Sequence, residues 1–122
     1  MDTKCESPAA VFDLAAANAL QLDGVRKIRD DSLDVGCRIS VVLGVELDVL
    51  SRVLHHIGAV LEEFGWYQDI KTKEWHYQSG STLYIINVTH KCSYAPYGEQ
   101  NGGIAIVELC YSMVDLYEEV QF

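Results

Sequence analysis

The chain has 122 residues, 49% hydrophobic and 22% charged, which is the size and make-up of one ordinary globular domain. Its 18 acidic and 9 basic residues leave a net charge of −9, which argues against direct binding of a nucleic-acid backbone, a task for clustered Lys and Arg. The same surplus suits a protein dispersed by self-repulsion or steered toward a basic partner.

The opening Met1-Asp2-Thr3-Lys4-Cys5-Glu6 shows no basic-then-apolar leader pattern, and the longest apolar run, Ile39 to Leu43 broken only by Ser40, is far shorter than a bilayer span. The expectation is a cytoplasmic chain without a membrane segment. Cysteines stand at 5, 37, 92 and 110, with the wide spacing of free thiols rather than of a disulfide framework. Asn87-Val88-Thr89 matches a glycosylation pattern, but it falls in an expected strand.

Ser7-Pro8 opens a helix: the Ser hydroxyl can cap free N–H groups, and Pro loses nothing at the first helical position. Val11, Leu14, Ala15, Asn18 and Leu22 follow at helical spacing, and Asp23-Gly24 stops the run. Val25 to Gly36 is polar and reads as a short helix or a connector, so residues 1–36 are taken as an N-terminal helix with a polar link. Residues 37–122 are then the sheet-and-helix core of a single domain.

Cys37 to Val45 is a β-branched run of strand length. From Leu47 to Phe64 the apolar residues Leu50, Val53, Leu54, Ile57, Val60, Leu61 and Phe64 mark a long amphipathic helix, with Asp48 as its cap and Gly65 as its stop. After Gly65 the period changes to two. Trp66 to Lys71 and Glu74 to Gln78 form a hairpin around Lys71-Thr72-Lys73, and Ser79-Gly80 turns the chain into a strand from Ser81 to Thr89. A polar stretch rich in Tyr, Gly and Asn runs from Ser93 to Gly103, and Ile104 to Tyr111 is another strand. The end reads either as a short helix capped by Ser112 and carrying Met113, Leu116, Tyr117 and Val120, or as that strand continued through Asp115; the helix is preferred. The expected fold is α+β: a mainly antiparallel sheet of four to five strands, with the long helix across it.

Arg38 to Gly65 (R-I-S-V-V-L-G-V-E-L-D-V-L-S-R-V-L…F-G) resembles the opening strand and helix of an ACT regulatory domain. The resemblance implies a ferredoxin-like fold and a small effector, such as an amino acid, at the end of the strand and the start of the helix. Asp48 stands where that family carries a Gly, and no second crossover helix is apparent between Thr89 and Gly103.

Few motifs carry chemistry. His55 and His56 are adjacent on a helix, so their rings diverge by about 100° and read as two solvent-facing side chains. His90 and Cys92 share one side of a strand and, with Cys110, are candidates for a thiolate–imidazole site; a rim Cys92 and a structural Cys110 are the plainer reading. Gly102-Gly103 precedes a strand, whereas phosphate cradles open a helix. No metal or other cofactor is implied.

The expectation is therefore a non-catalytic module that binds a partner protein with a basic surface, without direct nucleic-acid or membrane contact and with self-association open. Its contact residues would be the loop residues Tyr94, Tyr97 and Glu99 and the acidic clusters holding Asp30, Asp31, Asp115, Glu118 and Glu119. Small size and negative charge are analogous to immunity proteins and to mobile-element or phage anti-defence inhibitors of nucleic-acid-processing machinery. The alternative is the small-effector domain that the resemblance implies, and a third is a small enzyme using Cys92 and His90.

Overall fold

The computed structural model describes residues 7–33, 38–93 and 103–116. Ser7 caps the first helix, α1 (Pro8–Leu20), as its spacing predicts: its hydroxyl accepts from the Ala10 N–H at 3.1 Å. The chain leaves α1 through Gly24, whose φ of 88° lies where side chains are strained.

The next segment corrects the expected helix or connector: Val25–Leu33 is a strand, β1. It pairs antiparallel with β2 (Arg38–Glu46), and the register shifts between Lys27 and Arg29. A one-residue bulge there breaks the alternation of side chains, so the period of two is absent from the sequence. A 3-10 turn (Leu47–Val49) then leads into the long helix, α2 (Leu50–Glu63). Asp48 lies within this turn and makes no capping bond; Val49 holds the cap position.

Helix α2 ends at Gly65, as expected. The Trp66 N–H donates to the Leu61 carbonyl at 2.9 Å and the Gly65 N–H to the Glu62 carbonyl at 3.1 Å. Gly65 has φ 92°, so the end is a Schellman motif, with Trp66 and Leu61 both in the core.

The remaining strands are β3 (Tyr67–Gln68), β4 (Trp75–Ser79), β5 (Thr82–Ser93) and β6 (Ile104–Asp115). The last runs four residues beyond the expected Tyr111, because Met113 to Asp115 pair with Thr82 to Tyr84. Residues 112–115 are thus strand, not helix. The six strands form one sheet in the order β1-β2-β6-β5-β4-β3, with every pair antiparallel. The sheet is one or two strands wider than expected. A ferredoxin-like fold joins its strands through split βαβ crossovers, each leaving a single strand between the two it joins, whereas here α2 leads from β2 to β3 with β6, β5 and β4 between them.

Both helices pack on one face. Val41, Leu43 and Val45 of β2, Ala105, Val107, Leu109 and Tyr111 of β6, Ile86 of β5 and Trp75 of β4 point to this covered face and are buried with the apolar sides of α1 and α2. Gly58 lets α2 approach: a Cβ there would stand 3.1 Å from Cζ2 of Trp75. An aromatic series crosses the same face, with ring centroids 5.6 Å apart for Trp66–Tyr77, 6.3 Å for Tyr77–Tyr84, 6.3 Å for Tyr84–Tyr111 and 5.7 Å for Phe12–Tyr111.

The β3–β4 loop is held by Asp69, whose carboxylate accepts from the Thr72 N–H at 2.8 Å and the Thr72 hydroxyl at 2.9 Å. The backbone bond first, then the hydroxyl bond, holds this carboxyl below its ordinary pKa, so its stabilising effect is lost as acidification protonates it. Lys73 closes the loop at φ 67°. Replacing Lys73 with Gly is expected to raise stability by about 0.5–1 kcal/mol, since the relief of left-handed strain exceeds the added chain entropy. A lower melting temperature for Lys73→Gly would mean that the lysine side chain itself supports the loop.

Candidate functional site

The expected contact residues do not converge among the described residues. Asp30 lies on β1, opposite Val41, and its carboxylate sits 3.1 Å from Nζ of Lys27. The two side chains are 50% and 47% exposed, so the pair is solvated and contributes only about 0–1 kcal/mol. Asp31 pairs with Ser40 along the backbone; its side chain lies outside the described set. Asp115 ends β6 opposite Thr82 and is exposed. By register it lies six residues along β6 from Leu109, the residue level with Asp30, a separation of about 20 Å along the strand direction. Tyr94, Tyr97, Glu99, Glu118 and Glu119 lie outside the described residues.

The thiol candidates are divided by the sheet. His90 and Cys92 pair with Val107 and Ala105 and so share the covered face, yet both are exposed, beyond the reach of the helices. Cys110 is on the opposite face. Its Sγ lies 3.6 Å from a Glu108 carboxylate oxygen and 3.9 Å from the Ser40 hydroxyl. The three-residue site of His90, Cys92 and Cys110 is not assembled. His55 and His56 are exposed on α2 with ring centroids 6.4 Å apart, edge to face, as their adjacency predicts. Among the described residues no three potential metal ligands gather.

Two features do stand out. The first is a cleft of about 850 Å³ at one end of the sheet, lined by Gly24, Arg26, Gly44, Glu46, Asp48 and Ile104 among others. It lies where β2 passes into the turn before α2. Strand β5 ends and β6 begins at this same end, since Ser93 pairs with Ile104. Glycines keep the cleft open; a Cβ on Gly24 would meet the Glu46 carboxylate at 3.2 Å.

The second is the face of the sheet on which no described helix packs. Register places Arg26 and Arg29 of β1, Ser40, Val42 and Gly44 of β2, and the even-numbered residues of β6 there. The odd-numbered residues of β5 join them. Ile28 bulges onto the same face, with Cδ1 3.1 Å from the place a Gly44 Cβ would occupy. Ile28 is 52% exposed, Tyr67 52%, Ile104 41% and Val114 36%, which marks an apolar surface that no described element covers. In the middle the Ser40 hydroxyl donates to Glu108 at 3.1 Å.

No described helix is long and apolar enough to cross a membrane. Comparisons with protein-family models, curated proteins and solved structures yield no match.

Proposed function

We propose that the chain is a non-catalytic binding module that docks onto a basic surface of a partner protein, with inhibition of that partner as the consequence. The observation that supports this reading is that no charged residue among those described is buried. The carboxylate surplus is therefore displayed to solvent, where it raises encounter rates with a basic surface and disfavours acidic ones. Glu99, Glu118 and Glu119 add to that field from segments outside the described residues.

The test is capture of partners from the native host at low and high ionic strength, repeated with a Glu118→Lys, Glu119→Lys double variant. Association is expected to weaken by roughly tenfold or more on reversal, with the melting temperature nearly unchanged, and to fall steeply with salt. Association indifferent to both salt and charge reversal would sink the reading.

The cleft favours a second reading, a small effector held between Arg26 and the Glu46–Asp48 pair. A thermal-shift panel of amino acids and nucleotides tests it. A rise that disappears in Arg26→Ala supports it, and a flat panel removes it.

A further inference from the structure

We propose that the uncovered face of the sheet is a self-association surface, occupied by the same face of a second copy of this chain. This goes beyond the reading above, because it concerns a different surface and a different partner.

Three observations carry it. The first is chemical. Ile28, Ile104 and Ile106 form an apolar patch at one end of the face, and Leu83, Ile85 and Val114 form another at the opposite end. Between them runs a polar strip of Ser40, Glu108, Cys110, Asn87 and Thr89, joined in part by the Ser40–Glu108 hydrogen bond. A two-fold axis through the strip lays each patch of one copy on the opposite patch of its mate. That is the self-complementarity an isologous interface requires.

The second is electrostatic. The chain carries −9, and two copies repel wherever its carboxylates meet. Among the described side chains of this face, however, Arg26, Arg29 and Lys91 offset Glu46 and Glu108. The face is close to neutral, so it escapes the repulsion that the rest of the molecule imposes. The same balance makes it a poor target for a basic partner.

The third is area. At a strand spacing of about 4.8 Å and a rise of about 3.3 Å, β1, β2, β6, β5 and β4 together offer roughly 700 Å² of flat sheet. A standard-size interface buries about 800 Å² per partner, and side-chain corrugation adds to the flat figure. Two such faces stacked would also bury the second apolar side of a sheet whose first side is already covered, as in a sheet sandwich.

The test is sedimentation of the full chain by analytical ultracentrifugation across micromolar concentrations. A particle of twice the 13.6 kDa chain mass is expected. Ile106→Glu and Ile85→Glu, one in each patch, should each weaken the dimer by roughly 100-fold or more, because each replaces an apolar contact with a carboxylate that association must strip of water. Ile106→Glu faces Lys91 across the strands, so the isolated monomer tolerates it, and far-UV circular dichroism checks that the fold persists. Arg52→Glu, on the exposed side of α2, should leave the dimer intact. Hydroxyl-radical footprinting of the unsubstituted chain supplies a second readout, with protection at Ile104 and Ile85 rising with concentration. A monomer at every concentration overturns the proposal. A dimer that survives both face variants, or dissolves with Arg52→Glu, overturns it as well.

Discussion

Truncating Phe12 to alanine is expected to lower the stability of the chain by about 3–5 kcal/mol, one of the two largest single-residue effects anticipated here. Phe12 is 0% exposed, and its ring meets Tyr111 of β6 with centroids 5.7 Å apart. The rest of the buried side of α1 is small, consisting of Val11 and the alanines 15, 16 and 19. Those side chains cannot move into the volume that the ring vacates, so the cavity persists and its cost adds to the lost transfer energy. Urea denaturation of Phe12→Ala against the parent measures the effect through the shift in midpoint. A loss below about 1 kcal/mol would mean that α1 is an appendage rather than part of the core.

The second large effect is expected at Trp66. Trp66→Ala should also cost about 3–5 kcal/mol, for a different combination of reasons. The indole is 3% exposed and stacks on Tyr77 at 5.6 Å, so apolar burial and an aromatic contact are lost together. Trp66 is also the residue whose N–H closes the Schellman motif on Leu61, and its ring supplies the hydrophobic half of that motif. The backbone bond survives the substitution while its apolar clasp does not, so the last turn of α2 should fray first. Hydrogen exchange at Phe64 to Trp66 that accelerates more than at Val53 to Ile57 is the expected pattern. Equal acceleration throughout α2 would show that the clasp does not act locally.

How far these elements are visible in the residues depends on whether local chemistry decides them. Both helices are legible. Ser7-Pro8 starts α1, and the spacing Leu50, Val53, Leu54, Ile57 carries α2, because capping and amphipathic burial act within a few residues. Strand β1 is illegible because its bulge shifts the register between Lys27 and Arg29, and because an edge strand has only one neighbour to satisfy. At the end of β6, Ser112 and Asp115 imitate a helix start, but distant partners on β5 hold Met113 to Asp115 extended. Non-local pairing overrides a local signal there.

The surfaces divide in the same way. That Asp30 and Asp115 are far apart follows only from the strand order, which no short-range pattern reports. The uncovered face did leave a trace: Ile104-Ala105-Ile106-Val107 is apolar in both phases of the alternation, whereas a strand with one wet face alternates cleanly. A strand apolar on both sides asks for cover on both. The thiol site, in contrast, depended on which side of the sheet each cysteine takes, and the register sets Cys92 and Cys110 on opposite faces, with Cys110 five residues along β6 from Ala105, the partner of Cys92.

The bulge in β1 has a consequence for how many molecules join. A long, straight border strand is an invitation to endless end-on growth, each newcomer extending the ladder of the last. Here that border is kinked at Ile28 and flanked by Arg26, Lys27, Arg29 and Asp30, so lateral recruitment of further chains is blunted. Whatever assembly this protein forms is thereby biased to stop at a small, closed number instead of running on into fibres.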